Sequence, residues 1–177
     1  MKPNYDPVKH HRVSIRLKGH DYSRGIYFIT ICTEGRRCIF GSVVNGKMRL
    51  NSYGKIVDDE WLNTINIRKD DVILHEYIVM PNHIHAIVEI AQPHHSGVSH
   101  TPLSHTPLSH TLLLHTPMQS PSKTLGAIVR GFKGAVSKRI GKSIWQRNYY
   151  ETIIRDDVAF VNISNYIRNN PVKWKSL

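Results

Sequence analysis

A stretch of low-complexity sequence divides this chain and limits where its core can come from. From Ala91 to Ser122 there is no Asp, Glu, Lys, Arg, Phe, Tyr or Trp, and the pentapeptide HTPLS occurs at 100–104 and again at 105–109. Proline at this spacing prevents a regular helix, and a period of five presents no apolar face to a core. We therefore interpret 91–122 as a linker inserted in a single domain that spans 1–177. The fold must be built from the segments on either side.

Those flanking segments alternate between β and α patterns. Strand patterns rich in β-branched and aromatic residues occupy 25–34, 38–44, 47–50, 72–90 and 143–155, with Asn45-Gly46 as a hairpin turn. Helical patterns occupy 51–69, 124–140 and a final segment that opens at 156–157. Strands interleaved with helices in a chain of this length predict one α+β sandwich, an antiparallel sheet with helices on one face.

The charge balance narrows the class of partner. The chain has 24 Lys and Arg against 13 Asp and Glu, a formal net charge of +11, which favours a polyanionic partner. No apolar run approaches the ~18 residues that a membrane span needs, and the amino-terminal MKPNYDPVKHHR lacks the apolar stretch of a signal peptide. We therefore expect a cytoplasmic protein, in which Cys32 and Cys38 are reduced thiols.

Two histidines outside the linker form a candidate metal-binding pair. Six of the twelve histidines lie in the linker, but His83 and His85 lie in VMPNHIHAIVEI, whose alternation predicts a strand with both imidazoles on one face. Two neutral imidazoles side by side can bind one metal ion. His-x-His also occurs in small-molecule metal hydrolases and in histidine-triad nucleotide enzymes. The triad needs a third histidine at position 87, which is isoleucine here.

A second candidate element lies near the carboxyl end, in NISNYIRNNPVKW. Tyr166 and Asn170 are four residues apart and should share one face of the predicted helix, while Ile163 and Ile167 occupy another. We expect Pro171 to end this helix directly after Asn170. A phenol hydroxyl and an amide oxygen would then point the same way at a helix end.

Together, these two elements resemble the single-tyrosine HUH transposases, and within them the REP-associated tyrosine transposases. PNHIH is followed about eighty residues later by Tyr-x-x-x-Asn-Pro-Val-Lys, and the resemblance extends through YFITICT, EYIVMPNHIHAIV and YIRNNPVKW. It implies a ferredoxin-like α+β sandwich with the histidines on a central strand. It also implies a metal-dependent enzyme that cuts single-stranded DNA near hairpins and rejoins it through a 5′-phosphotyrosine intermediate. Such proteins are monomers or homodimers.

The resemblance also assigns roles to individual residues. It implies that His83 and His85 bind Mg²⁺ or Mn²⁺, that Asn170 supplies a third polar ligand and that Tyr166 is the nucleophile. Tyr150, in IWQRNYYETIIR, is an alternative nucleophile because that segment could also face the metal. An ordinary tyrosine hydroxyl has a pKa near 10, so ionising it at pH 7 costs about 4 kcal/mol, which a bound metal would offset. A catalytically inactive module that binds hairpin or single-stranded DNA is the alternative function.

Basic residues indicate where such DNA would lie. No acidic residue occurs between Ile90 and Tyr150, and a basic arm precedes the first strand. Trp145 is a candidate for stacking on a base if it is exposed, and is a core residue if it is buried. The candidate DNA-binding residues are Arg12, Arg16, Lys18, Lys123, Arg130, Lys133, Lys138, Arg139, Lys142, Trp145 and Arg147.

Overall fold

The structure, a computed structural model, describes residue 17 and residues 19–68, 71–91 and 123–174. Its strands are β1 (Gly25–Cys32), β2 (Gly41–Val44), β3 (Lys47–Leu50), β4 (Val72–Met80), β5 (His83–Ile90) and β6 (Tyr150–Ile154). Its helices are α1 (Ser52–Arg68), α2 (Leu125–Ile140), α3 (Asp157–Arg168) and α4 (Asn170–Lys173). Within these ranges, none of the helices has the length and apolar character needed to cross a bilayer. The predicted linker lies outside the described residues, except for Ala91.

Four strands form one antiparallel sheet in the order β4-β5-β1-β6, while β2 and β3 form a separate hairpin. With the hairpin set aside, the chain order β1-α1-β4-β5-α2-β6 is the βαββαβ pattern of a ferredoxin-like fold. The two central strands, β1 and β5, pair over their whole length, from Gly25 opposite Ile90 to Cys32 opposite His83. This confirms the predicted α+β fold and its antiparallel sheet.

The two faces of the sheet are covered by different helices. Alternate residues of β1 and β5, such as Ile29 and Ile84, join the larger core with α1 and α2. The intervening residues, such as Ile87, pack against α3 through Ile163 and Ile167. The expectation of helices on one face therefore applies to α1 and α2 but not to α3. The strand residues that α3 covers are themselves apolar, so this face also has to be shielded from water.

Two element boundaries differ from the sequence prediction for local reasons. The last strand, expected from residue 143, begins only at Tyr150. Before it, the carbonyls of Gln146 and Asn148 accept hydrogen bonds from Lys133 Nζ at 2.8 and 2.9 Å instead of joining a strand ladder. Pro171 does not end the helix that contains Tyr166, because α3 already ends at Arg168 and Pro171 lies in the first turn of α4.

The β2–β3 hairpin is fixed at both of its ends. Its turn residues, Asn45 and Gly46, both have positive φ, as the predicted two-residue turn requires. At its base, the Asn51 side chain donates to the Ile39 carbonyl and accepts from the Gly54 N–H, both at 3.0 Å. This contact brings the first turn of α1 close to the hairpin.

A methyl group at Gly54 should destabilise the protein, because no space is left for it. A Cβ there would lie 2.1 Å from the Phe40 carbonyl oxygen. We expect Gly54→Ala to lower the free energy of unfolding by about 1–3 kcal/mol, measured by urea denaturation. Gly134→Ala is the matched control, since a Cβ in that helical position meets nothing within 4 Å. It should be stabilising by up to about 1 kcal/mol, and equal effects of the two changes would contradict this packing.

Candidate metal and nucleophile site

The two histidines of PNHIH lie side by side at the start of β5, on the sheet face that α3 covers. Their ring centroids are 4.3 Å apart and their planes meet at 70°. His83 Nε2 is buried and has no hydrogen-bond partner among the described residues. His85 Nε2 lies 3.3 Å from the Tyr166 hydroxyl oxygen. His83 Nε2 therefore has no hydrogen-bond partner among the described residues, and His85 Nε2 contacts only the candidate nucleophile.

The other ring nitrogen of His83 is fixed by the residue that precedes it. Asn82 Oδ1 lies 2.6 Å from His83 Nδ1, and Asn82 Nδ2 donates to the Arg36 carbonyl at 3.1 Å. Because a carbonyl can only accept, the Arg36 contact requires the amide NH₂ on that side and leaves Oδ1 facing the imidazole. His83 Nδ1 must then carry the proton, and the lone pair is on Nε2.

His85 is held in the same way from the neighbouring strand. Thr30 is directly opposite His85 in the β1–β5 register, and its Oγ1 lies 2.8 Å from His85 Nδ1. When the Thr30 hydroxyl accepts from Nδ1–H, the lone pair of this ring is also on Nε2, which faces Tyr166. A partner on one ring nitrogen that frees the other is the usual arrangement behind metal-binding histidines.

Burial keeps both imidazoles neutral. It lowers the pKa of His83 to about 4, with a further contribution from the positive charge of Arg36. Burial likewise lowers the pKa of His85 to about 3, with His83 as the next cause. Only a neutral imidazole has a lone pair to offer a cation. The site therefore offers two neutral nitrogen donors at physiological pH.

Tyr166 reaches this site from α3. Its ring makes an edge contact with Phe28, with centroids 6.0 Å apart, and lies 5.3 Å from the His85 ring. Tyr166 is 44% exposed. The last turn of α3 is tied to β4 by an ion pair of 2.6 Å between Arg168 and Glu76. The helix thus places a partly exposed tyrosine ring in contact with one of the histidines.

Tyr150 lies on the same face but one strand further away. It is opposite Thr30 in the β1–β6 register, so Thr30 separates it from His85 across the sheet. It is 57% exposed. Its neighbour Tyr149 points to the other face, packs against the larger core and lies 5.9 Å from Lys133 Nζ. Of the two candidate nucleophiles, Tyr166 is the one in contact with a histidine.

Asn170 is the least constrained of the predicted ligands. It opens α4 instead of sharing one continuous helix with Tyr166, and it is half-buried. Its side chain makes no hydrogen bond within the part of the chain that the structure describes. In that same part, no third His, Cys, Asp or Glu completes a cluster with the two histidines. Two neutral imidazoles, with an amide and water as further ligands, would bind Mg²⁺ or Mn²⁺ less tightly than a set of carboxylates would.

Several of the basic residues predicted to bind DNA make contacts within the fold. Lys123 forms an ion pair of 2.7 Å with Asp71, and Arg139 contacts Asp59 and Glu60 at 3.1 and 3.0 Å. Burial lowers the pKa of Lys133 to about 8, and its ammonium group is enclosed by backbone carbonyls. These contacts cross between distant parts of the sequence, which is why charge counting along the chain missed them.

The remaining predicted DNA-binding residues divide into three groups. Trp145 is only 6% exposed and packs against Phe40, so it is a core residue and not a surface platform for a base. The basic residues that stay exposed, on or just after α2, are Arg130, Lys138, Lys142 and Arg147. Because α2 packs on the face opposite the histidines, its basic residues do not border the site. Arg12, Arg16 and Lys18 lie outside the described residues.

Sequence reasoning missed four residues that surround the histidines. Asn82 and Arg36 bond one another beside His83, Thr30 contacts His85, and the Trp174 ring centroid lies 5.9 Å from that of His83. Asn82 and Trp174 belong to the quoted motifs PNHIH and NNPVKW, so adjacency could have identified them. Thr30 and Arg36 could be found only with the strand register and the turn at Glu34–Arg36.

Comparison with known proteins gives one relative and one solved structure of interest. No protein-family model matches the chain. An uncharacterized protein of Haemophilus influenzae is 42% identical over 181 residues, which cover 99% of this chain and 96% of that protein. The structure of a REP-associated tyrosine transposase bound to a REP hairpin is similar with a TM-score of 0.57 and 18% identity, covering 90% of this chain and 74% of that one. At this identity, the second likeness shows a shared fold.

The buried histidines should make stability depend on pH. Since burial lowers their folded-state pKa values below the ordinary histidine value of about 6.5, only the unfolded chain gains their protons as the pH falls from 7 to 5. The free energy of unfolding should therefore fall over this interval by about 2 kcal/mol for each histidine. Urea denaturation of the wild type and of the double variant His83→Gln/His85→Gln measures this difference, and the other histidines cancel between the two. An equal pH dependence in both proteins would contradict the buried, neutral state.

Proposed function

This chain belongs to one family with the uncharacterized protein of Haemophilus influenzae, and we propose that it cuts and rejoins single-stranded DNA near hairpins by a metal-dependent tyrosine transesterification. The observation on which the proposal depends is the 3.3 Å contact between the Tyr166 hydroxyl and His85 Nε2, next to the unpartnered Nε2 of His83. A nucleophile and two metal-binding nitrogens are what such a reaction needs in one place. The fold shared with the REP-associated tyrosine transposase supports the same interpretation.

In this proposal, His83 and His85 hold a Mg²⁺ or Mn²⁺ ion, with Asn170 as a third protein ligand. The ion would polarise the scissile phosphate and stabilise negative charge on the leaving oxygen. Asn82 and Thr30 keep both Nε2 lone pairs aimed at the shared position, because each occupies the opposite ring nitrogen. All three protein ligands are neutral, so none of them cancels the charge that the cation presents to the phosphate.

Tyr166 is the nucleophile. Its oxygen attacks the phosphorus, forming a bond between the phenol oxygen and phosphorus while the bond to the 3′-oxygen breaks. The phenol loses its proton and the 3′-oxygen gains one, so the products are a 5′-phosphotyrosine and a free 3′-hydroxyl. The number of phosphoester bonds does not change. A second 3′-hydroxyl can therefore reverse the step and join strands without ATP.

Charge and fold both support DNA as the polyanionic partner. The formal net charge of +11 favours phosphate contacts, and the solved structure with the shared fold is bound to a REP hairpin. A strand to be cut must approach the α3 face, where Tyr166 is exposed. A single strand, or the single-stranded flank of a hairpin, gives the phenol access to phosphorus that a duplex would hinder.

Replacing the phenol oxygen tests the nucleophile. Tyr166→Phe keeps the ring that contacts Phe28 but removes the attacking atom. Incubated with end-labelled hairpin oligonucleotides and Mn²⁺, the wild type should form a covalent protein–DNA adduct on a denaturing gel, and Tyr166→Phe should reduce it to background. Tyr150→Phe is the matched control and should form the adduct at about the wild-type level.

Either alternative outcome is informative. Loss of the adduct in Tyr150→Phe with retention in Tyr166→Phe would reassign the nucleophile to Tyr150. The absence of any adduct, with hairpin binding unaffected by a chelator, would replace the enzyme by a DNA-binding module.

Removing the hydroxyl behind His85 tests the metal site without DNA. Thr30→Val is close in shape but cannot hydrogen-bond to Nδ1, so the imidazole is no longer held in one tautomer. We expect a Mn²⁺ affinity about 10- to 100-fold lower by isothermal titration calorimetry. Thr152→Val, an exposed change on β6, is the control and should bind like the wild type. Equal affinities of Thr30→Val and the wild type would show that Thr30 does not position the ligand.

A further inference from the structure

An aromatic side chain, Trp174, lies beside His83 of the histidine pair. Trp174 is half-buried, and its ring lies 5.9 Å from the His83 ring at an angle of 41°. Its backbone N–H donates to the Pro171 carbonyl at 3.3 Å, at the end of α4. Val172 of the same helix lies against the tip of the β2–β3 hairpin, where a Cβ on Gly46 would be 3.4 Å from its Cγ2. The indole is thus held beside the site by the fold.

A positive charge is fixed next to the same histidine. Arg36 is exposed, and its backbone bonds to Thr33 on one side and to the Asn82 side chain on the other, at 3.0 and 3.1 Å. Asn82 is also the partner of His83, so two hydrogen bonds through the Asn82 side chain connect the Arg36 backbone to His83. After burial, the Arg36 charge is the next cause of the lowered pKa of His83.

Unlike Arg168 and Arg139, Arg36 has no carboxylate partner among the described residues. Arg168 is paired with Glu76, and Arg139 with Asp59 and Glu60. Arg36 makes no ion pair with any residue that the structure describes. An unpaired guanidinium beside a neutral site leaves its full charge available to an anion that enters the site.

We infer that Trp174 and Arg36 form a nucleotide subsite beside the histidine pair, in which the indole stacks on a base next to the scissile phosphate and the guanidinium contacts a neighbouring phosphate. This inference rests on the proposed function. It specifies that the site binds the nucleotide next to the scissile phosphate. An exposed aromatic face with an adjacent cation is the combination by which proteins bind single strands without reading sequence. The ligand is therefore a nucleotide of any base, because each base has a face that can stack.

An abasic scan of the DNA separates stacking from other effects. The probe is a hairpin oligonucleotide with a single-stranded flank, made as a series in which one flank nucleotide at a time lacks its base. Binding is measured by fluorescence anisotropy with the full chain, in a chelator and in the Tyr166→Phe background, so that no cutting occurs. With Trp174 intact, one abasic position should weaken binding by roughly 5- to 150-fold.

Variants of Trp174 and Arg36 then show which residue contacts the base and which contacts the phosphate. In Trp174→Ala the abasic penalty at that position should disappear, whereas Trp174→Phe should keep most of it because a stacking ring remains. Arg36→Ala should reduce the slope of log affinity against log salt by about 0.7, the contribution of one phosphate on a single strand. Lys55→Ala, which removes an equal charge from α1 on the opposite face, is the control and should leave the slope unchanged.

Three results would overturn the subsite. These are a flat abasic scan in the Trp174-containing protein, an unchanged scan in Trp174→Ala, and an Arg36→Ala slope equal to that of Lys55→Ala. The failure of cleavage is separate: a localised abasic penalty without a covalent adduct would support the subsite and reject the transesterification. An adduct together with a flat scan would reject the subsite alone.

Discussion

The alternation of side chains along β5 is the constraint on which the rest of this structure depends. Ile84, Ala86 and Val88 point to the larger core and are fully buried against α1 and α2. Their neighbours His83 and His85 therefore have to point to the opposite face. A shift of the strand by one residue would bury both imidazoles in an apolar core and expose the isoleucine between them. The energy that stabilises the sheet thus also fixes where the candidate ligands lie.

The candidate site forms on the second face of the sheet, the one that α3 covers. Helix α3 covers the apolar residues of that face and brings Tyr166 to 3.3 Å from His85. The same helix leaves Tyr166 partly exposed to solvent. Asn82 then determines which ring nitrogen of His83 carries the proton, and Thr30 occupies Nδ1 of His85. Packing sets the distances, and two neutral hydrogen-bonding groups set the direction of the lone pairs.

Local patterns in the sequence predicted the histidine pair and most of the elements, although β6 begins later than predicted and the last helix is divided into α3 and α4. The period of two in β5, the Asn45-Gly46 turn and the apolar stripe of α2 are all properties of neighbouring residues, and each appears in the structure as predicted. Pairings between distant residues were not predictable in this way. Arg139 finds its carboxylates about eighty positions earlier in the chain, and Thr30 meets His85 from another strand.

The difference between local patterns and contacts of distant residues also explains why the predicted DNA surface does not coincide with the histidine site. A run of basic residues without acids looked like a phosphate-binding stripe, but a helix distributes its residues around an axis, and α2 packs on the face away from the histidines. Trp145 illustrates the limit for aromatic residues, since only the three-dimensional packing against Phe40 and Phe132 shows that it is buried. Arg36 and Trp174, which do border the site, come from a turn and from a helix end.

The most direct test of the central claim is to identify the residue that becomes linked to DNA. Trypsin cleaves after Arg147, Arg155 and Arg168, so Tyr150 is released in the peptide 148–155 and Tyr166 in the peptide 156–168. After reaction of the wild-type protein with a hairpin oligonucleotide and nuclease trimming, mass spectrometry shows which peptide holds the nucleotide. Our account predicts a 5′-phosphotyrosine on the peptide 156–168. A nucleotide on the peptide 148–155 would contradict it.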